Sequence, residues 1–374
     1  MTGPQKSLTY NQASPSARVD WVDAAKGICI ILVVMMHTTL GIEAAAGRTG
    51  WMHAVVEFAK PFRMPDFFMI SGLFLAATID RPWRLYLDRK VIHFFYFYIL
   101  WVGIQFAFKA PFMMGDGVSL AVILRSLLFT LVQPFGTLWF IYMLPVFFVV
   151  TKLFRNSPWL LLGFAALLQI LPISTHDLLP IMTAKLGVIS VDSYWLLVDE
   201  FCSFYVYFLM GYLFAPKIFE VADWAGNHVA VALGLITAWF CLNLLMVVTG
   251  WAALPVLSLV LGMAGAAAIV LIASLLIRLR AIGLLTHIGS NSIVVYLAFF
   301  LPMIISRILL LKFFPDWDLG NTALIAIMVS VATPLIGYAV IQKIGFGRFL
   351  FHRPSWAVFA NRPQKTKAAL VAAE

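Results

Sequence analysis

The chain has 374 residues, of which 62% are hydrophobic and only 11% are charged. Soluble proteins usually contain about 45–50% apolar and about 25% charged residues, and a soluble globule of this size could not bury so much apolar surface. The apolar residues form continuous runs without alternation at a period of two, which argues against a membrane β-barrel. The composition therefore predicts an all-α integral membrane protein.

Basic residues outnumber acidic ones by 26 to 17, which gives a net charge of +9. In a membrane protein such an excess is typical of loops that face the cytoplasm and anionic lipid, so we expect membrane lipids and no nucleic acid as partners. The three cysteines, Cys29, Cys202 and Cys241, lie within apolar runs at no metal-binding spacing. No metal site is predicted.

About ten apolar runs have the length of a transmembrane helix, roughly 17–25 residues. They cover residues 27–46, 62–79, 91–107, 138–154, 158–173, 201–218, 229–249, 254–277, 282–310 (expected to be tilted or broken near Pro302) and 322–344. The shorter segment 118–132 carries Arg125 and is predicted to be interfacial or re-entrant. These runs predict one membrane domain, residues 20–345, between a polar N-terminal tail (1–19) and a basic C-terminal tail (346–374).

The basic residues also predict the orientation of the chain. With ten spans, most of the 26 lysines and arginines fall on the side of the two termini. Positively charged loops stay in the cytoplasm, so both termini are predicted to be cytoplasmic and the protein to be a multi-pass protein of the cell inner membrane. The polar and aromatic insert 174–200 then lies outside, where its length is typical of an access lid or a binding loop.

The first run contains the clearest candidate catalytic group, His37. An ionisable side chain at the centre of a membrane helix costs at least about 2.5–3.5 kcal/mol and is therefore a functional candidate. His37 follows Lys26 by eleven residues, which is about 16 Å along a helix and brings both residues to the same face. Asp23 lies one turn before Lys26 and can pair with it. A histidine that merely donates to a neighbouring carbonyl is the structural alternative, and the charged residue on the same face favours function.

Two further groups of polar residues follow. Arg63 and Asp66 open the second run within one turn of each other and are interpreted as an interfacial ion pair. If Arg63 marks the outer surface, Ser71 lies about 12 Å deeper, near the depth of His37. The next loop, predicted to be cytoplasmic, carries Arg84, Arg89 and Lys90. Topology explains part of this positive charge, and the same side chains can bind phosphate.

These residues resemble the signatures of the membrane acyltransferase 3 family. The stretch Asp23-Ala24-Ala25-Lys26-Gly27, followed by His37, is similar to the opening of that family, in which an acid and a basic residue precede a histidine. The other matching segments are Met64-Pro65 with Phe67-Phe68-Met69-Ile70-Ser71-Gly72, the basic stretch from Arg84 to Lys90, Leu138-Trp139-Phe140-Ile141-Tyr142, and Ile288-Gly289-Ser290-Asn291-Ser292 with Tyr296. The resemblance covers most of the chain.

The resemblance implies ten spans and transfer of an acyl group, commonly acetyl, from cytoplasmic acyl coenzyme A to a hydroxyl of an envelope glycan or lipid-linked sugar, as in exopolysaccharide O-acetylation. It implies an essential His37, with Lys26 where most members carry arginine, and acyl coenzyme A as a co-substrate rather than a bound cofactor. Three positions depart from related sugar acetylases. Arg63 and Phe299 stand where those enzymes often have histidine, and His93 replaces a basic residue.

The residue types suit this chemistry, because a positioned histidine can take the proton of an attacking hydroxyl near neutral pH. We expect His37, Lys26 and Asp23 to form the catalytic group. Donor binding is assigned to Arg84, Arg89, Lys90 and Ser71, and the acceptor side to Arg63, Asp66, Trp139 and Tyr142. Direct transfer is favoured, because no serine or cysteine lies in a recognised nucleophile motif.

Two other functions are compatible with these residues. A proton-coupled transporter or glycan flippase could use His37 as a proton relay, although internal inverted repeats and more acidic residues at mid-membrane would then be expected. A structural or sensory protein could also keep the frame of an acyltransferase without its activity.

Overall fold

A computed structural model describes residues 19–360 except 135, 172, 177, 191–193 and 279–282, so the N-terminal tail up to residue 18 and the C-terminal tail from residue 361 lie outside the described residues. Within the described ranges the chain is helical and contains no strand, which confirms the all-α part of the predicted fold class. The helices are Asp20–Ala46 (α1), Met52–Ala59 (α2), Arg63–Leu73 (α3), Trp83–Leu87 (α4), His93–Gly115 (α5), Leu120–Phe129 (α6), Trp139–Leu153 (α7), Pro158–Ile170 (α8), Leu178–Leu186 (α9), Leu196–Leu213 (α10), Ala215–Asn227 (α11), Val229–Val248 (α12), Pro255–Arg278 (α13), Gly283–Ser290 (α14), Ser292–Ala298 (α15), Phe300–Phe313 (α16) and Leu319–Ile344 (α17). A π-helical turn, Asp88–Ile92, joins α4 to α5.

Seven helical segments of the described chain are long and apolar enough to cross a membrane. They are Asp20–Ala46, Trp83–Gly115, Gly136–Leu153, Leu196–Leu213, Val229–Val248, Pro255–Arg278 and Leu319–Ile344. The pair α15 and α16 forms an eighth only if its 55° bend is counted as one broken span. The break expected near Pro302 is found three residues earlier, at Phe299.

The predicted count of about ten spans is not confirmed, because two of the predicted runs form short helices. The helices α3 and α8 have 11 and 13 residues. At 1.5 Å per residue they reach only about 16–20 Å, less than the roughly 30 Å of a bilayer core. The segment predicted to be interfacial or re-entrant forms α6, whose ten residues are likewise too few to span.

The early end of α3 has a tertiary cause. A Cβ atom at Gly72 would collide with the carbonyl oxygen of Phe208, and one at Gly211 would collide with the carbonyl of Met69. These two glycines therefore bring α3 against α10 at backbone distance. The residues after α3 form turns instead of helix, and the buried ammonium of Lys152 donates to the carbonyls of Ile79 and Arg81 there.

A second pair of glycines packs α14 against α1. A Cβ atom at Gly27 would collide with the carbonyl oxygen of Leu285, and one at Gly289 with that of Asp23. Small residues at helix contacts are typical of membrane proteins, because they let backbones approach closely. The contact brings the residues after Gly289 next to the Lys26 end of α1.

The described part of the C-terminal tail, residues 346–360, packs against the helices, and we call it the C-terminal strap. Its Arg353 forms a buried ion pair with Asp88, with 2.7 Å between Nη2 and Oδ2. Arg353 also donates through Nη1 to the Asp88 carbonyl, and the backbone N–H of Phe359 donates to Oδ1 at 2.9 Å. Further hydrogen bonds run from the Tyr96 hydroxyl to the carbonyl of Phe349 and from the Trp101 indole to the carbonyl of Leu350, both at 3.0 Å.

The ion pair predicts a loss of stability on truncation of Arg353. Arg353→Ala leaves the Asp88 carboxylate buried without its main partner, which typically costs about 3–5 kcal/mol. We expect a clearly lower thermal unfolding midpoint for the purified protein and faster proteolysis of the strap. Arg348→Ala is the matched control, because Arg348 is exposed and donates to the nearby carbonyl of Gln342. Equal midpoints for the two variants would show that the ion pair of Arg353 with Asp88 does not stabilise the fold.

The predicted orientation can be tested with single cysteines in a background without Cys29, Cys202 and Cys241. Lys185 and Ser157 are exposed and lie on opposite sides of α8 in the chain. The predicted topology places Lys185 outside and Ser157 in the cytoplasm. An impermeant maleimide should therefore label Lys185→Cys in intact cells and Ser157→Cys only after permeabilisation. Labelling of both positions from the same side would contradict the predicted orientation.

Candidate functional site

The first of two cavities along α1 contains the Lys26 side chain, and we call it the Lys26 cavity. Its volume is about 350 Å³. The polar side chains that line it are Lys26, Ser71, Lys90, Ser290, Ser292 and Tyr296. Three residues assigned to donor binding or catalysis from the sequence, Lys26, Ser71 and Lys90, therefore lie in one cavity, although they come from separate helices.

The polar groups of the Lys26 cavity have defined local partners. Lys26 Nζ lies 3.2 Å from Asp23 Oδ1, which confirms the predicted pair. Lys90 Nζ stands 4.3 Å from the centre of the Phe148 ring. The Ser71 hydroxyl donates to the carbonyl of Phe67, one turn earlier, at 2.8 Å. The cavity thus offers two ammonium groups and a serine oxygen that keeps a lone pair.

The π-helical turn explains how Lys90 reaches this cavity. A π-helical turn is wider than an α-helical turn and changes the directions of its side chains. Asp88, at its start, is fully buried against Arg353 of the C-terminal strap, whereas Lys90, two residues later, lines the cavity. Arg84 and Arg89 are exposed and do not line the cavity. The predicted donor cluster is therefore divided between a cavity wall and the surface.

The second cavity contains His37, and we call it the His37 cavity. Its volume is about 430 Å³. It is lined by Met36, His37, Arg63, Met64, Lys109, Gly136, Thr137, Trp139, Tyr194, Leu196, Glu200, Phe204 and Phe300. His37 lies about 16 Å from Lys26 along α1. Its ring centre is 5.7 Å from that of Phe299, and within the described part of the chain the imidazole forms no hydrogen bond.

Arg63 lines the His37 cavity and is nearly buried, with 9% of its surface exposed. The predicted ion pair between Arg63 and Asp66 is not formed. Asp66 is fully buried, and neither of its carboxyl oxygens has a hydrogen-bond partner among the described residues. Three residues advance a helix by about 300°, which leaves the two side chains about 60° apart around the helix axis. On α3 the side chain of Arg63 lines the cavity, and that of Asp66 does not.

A layer of aromatic rings lies where the two cavities adjoin. On α3, Met64 lines the His37 cavity and Phe67 the Lys26 cavity, and on α7 the same division falls between Trp139 and Phe140. The rings of Phe67 and Phe140 stack with their centres 4.3 Å apart. Tyr296 meets Phe140 edge-on at 5.7 Å. These three rings line the Lys26 cavity, and Phe140 directly follows Trp139, which lines the His37 cavity.

Some predicted acceptor residues lie elsewhere, and some lining residues were missed. Tyr142 lines neither cavity, and its hydroxyl donates to the carbonyl of Leu131 at 2.9 Å. Lys109 lines the His37 cavity although it falls just beyond a predicted span. Tyr194 and Glu200 come from the polar insert 174–200, and the Tyr194 hydroxyl donates to Glu200 at 2.9 Å. The composition of that insert was the sequence signal for a binding role.

This arrangement defines a helical membrane protein with a histidine in one cavity and two lysines in the other. The chain belongs to the acyltransferase 3 family, because the model of that family, described as an acyltransferase domain, matches residues 19–341. The family resemblance of the sequence motifs is therefore confirmed.

Two curated relatives are similar to the chain. Inner membrane protein YcfT of Escherichia coli K12 is 28% identical over 158 residues, which cover 36% of this chain and 44% of that protein. Nodulation protein NolL of Sinorhizobium fredii NGR234 is 28% identical over 230 residues, which cover 60% of this chain and 56% of that protein. The chain thus spans about half the length of the curated relatives that it matches. No solved structure matches the chain.

Proposed function

We propose that the protein is a transmembrane O-acyltransferase. It moves an acyl group, acetyl in the simplest case, from cytoplasmic acyl coenzyme A to a hydroxyl of a cell-envelope glycan or lipid-linked sugar. The proposed location is the inner membrane, in keeping with the name of the relative YcfT. The observation that carries the proposal is the pair of adjoining cavities along α1, one with Lys26 and Lys90 and the other with His37.

The Lys26 cavity suits the donor. Coenzyme A carries phosphates, which ammonium groups bind by charge, and a flexible arm that ends in the thioester. Lys26 and Lys90 would hold phosphate oxygens at the cytoplasmic entrance. Ser71 lies deeper on α3, and its oxygen can accept a hydrogen bond from the amide groups of the arm. The largely apolar remainder of the cavity wall suits the acyl end.

The His37 cavity suits the acceptor and the base. A hydroxyl is a poor nucleophile, and a base that takes its proton in the transition state contributes about 10²–10⁴-fold. In the proposed step His37 accepts the hydroxyl proton while the oxygen attacks the thioester carbon. The tetrahedral intermediate then expels the coenzyme A thiolate, which takes the proton from the imidazolium. One carbon–oxygen bond forms, one carbon–sulfur bond breaks, and His37 returns to its neutral form.

The rings of Phe67 and Phe140 separate the two substrates in this proposal. The thioester reaches the acceptor hydroxyl only when the acyl end passes between them, so the bulky parts of donor and acceptor stay on their own sides of the membrane. The stacked rings also restrict water in the absence of acceptor, which limits hydrolysis of the thioester.

His37→Ala is expected to abolish acyl transfer, with a loss of at least about 10²-fold, because no other described residue of this cavity offers a neutral nitrogen base. The measurement is the acyl content of the cell-surface glycan, together with the amount of protein in the membrane. Leu40→Ala is the control, since Leu40 is an exposed residue of the same helix. Near wild-type acylation in the His37 variant would end the proposal.

The division of the cationic residues predicts which of them bind the donor. The double variant Lys26→Gln/Lys90→Gln should weaken binding of acetyl coenzyme A at least about tenfold and reduce its sensitivity to salt, which screens charge over roughly 8 Å at 0.15 M. Arg84→Gln/Arg89→Gln removes the same charge from the exposed surface and should weaken binding less than about threefold. Binding of labelled acetyl coenzyme A to protein in nanodiscs measures both. If the two double variants weaken binding equally, or if the arginine variant weakens it more, the donor does not bind in the Lys26 cavity.

A further inference from the structure

The His37 cavity contains a buried guanidinium with unused hydrogen-bond donors. Arg63 is 9% exposed, and its Nε and Nη1 atoms are buried without a hydrogen-bond partner among the residues that the structure describes. Buried donors of a charged group are costly to leave unpaired, and most such groups in proteins have a partner. A ligand with suitable acceptor atoms would satisfy them, because Arg63 lines the cavity.

Two further charged side chains line the His37 cavity together with Arg63. Lys109 lines the same cavity, with its ammonium 5.2 Å from the centre of the Phe300 ring. Glu200 is the carboxylate among the described lining residues, and it accepts a hydrogen bond from Tyr194. The described wall therefore carries two cationic side chains against one anionic side chain. An oxyanion would complement the guanidinium of Arg63, whose Nε and Nη1 atoms have no hydrogen-bond partner among the described residues.

We propose that the acceptor molecule carries an oxyanion, a carboxylate or a phosphate, which Arg63 binds while a hydroxyl of the same molecule faces His37. This inference rests on the proposed function, because it describes the acceptor of that reaction. A guanidinium presents paired donors that match the oxygens of either oxyanion. The cavity of about 430 Å³ lies within the range of roughly 300–1,000 Å³ that is typical of small-molecule sites. A cavity of this size suits a single charged sugar unit of the proposed acceptor.

Arg63 has one other chemical role to consider. A cation beside the base could instead stabilise the oxyanion that develops on the thioester during transfer. In that role Arg63 would affect transfer to every acceptor alike and would create no preference between acceptors. Binding measured without acyl coenzyme A separates the two roles.

The test compares three sugars that differ in charge. The full-length protein in phosphatidylcholine nanodiscs is titrated, at constant ionic strength and without acyl coenzyme A, with methyl glucoside, methyl glucuronide and glucose 1-phosphate. Dissociation constants follow from calorimetry or from thermal stabilisation. We expect at least one charged sugar to bind at least about tenfold more tightly than methyl glucoside. The tighter of the two charged sugars identifies the oxyanion as a carboxylate or as a phosphate.

Variants assign the preference to Arg63. Arg63→Gln should reduce it to less than about threefold, and Arg63→Lys, which keeps the charge, should retain part of it. Lys60→Gln is the matched control, because Lys60 is exposed, pairs with Glu57 and does not line the His37 cavity. It should keep the full preference. His37→Ala should also keep it while losing acyl transfer, so failure of the proposed function and failure of this inference give different results.

The wild-type protein alone can overturn the inference, even if a variant does not fold. Equal affinity for the three sugars, or no binding of either charged sugar up to about 50 mM, which is beyond the usual range of substrate affinities, would contradict it. A preference that Arg63→Gln leaves unchanged would place the anion site on other residues and contradict it as well.

Discussion

Backbone contact at glycine residues is the constraint on which both cavities depend. Gly27 and Gly289 let α14 lie against α1, and Gly72 and Gly211 let α3 lie against α10. Lipid tails are as apolar as leucine, so apolar surface alone does not drive helices together in a membrane, and close packing must do so. These contacts set the distance between the helices that line the cavities. A larger side chain at any of these glycines would separate the walls of the site.

Because of this packing, the same helices line both cavities. The helices α1, α3 and α7 each contribute residues to both, and the stacked rings of Phe67 and Phe140 line the Lys26 cavity. A shift of one helix therefore changes both cavities together. In the proposed transfer across the membrane, a small group moves between the cavities while the larger groups stay apart.

Buried ions hold the irregular backbone beside the Lys26 cavity. Irregular backbone in a membrane protein is tolerated where protein groups satisfy its polar atoms. Lys152 donates to the carbonyls of the turns after α3, and Asp88 accepts hydrogen bonds from the C-terminal strap. The segment between these two anchors leads to Lys90. The position of a cation in the cavity wall is thus supported by residues more than 60 and more than 260 positions away in the chain.

The sequence by itself determined the helical membrane class and the family, and it singled out Lys26 and His37, one in each cavity. Composition, motifs and the spacing of residues along one helix can all be read without knowledge of tertiary contacts. Arg63 and Trp139, which the sequence assigned to the acceptor side, line the same cavity as His37. The tertiary structure decided the rest. It ended α3 early, separated Asp66 from Arg63 and left Arg84 and Arg89 at the surface. The physical reason is that helix length and side-chain surroundings follow from contacts with distant segments, such as that of Gly72 with α10, which no local pattern encodes.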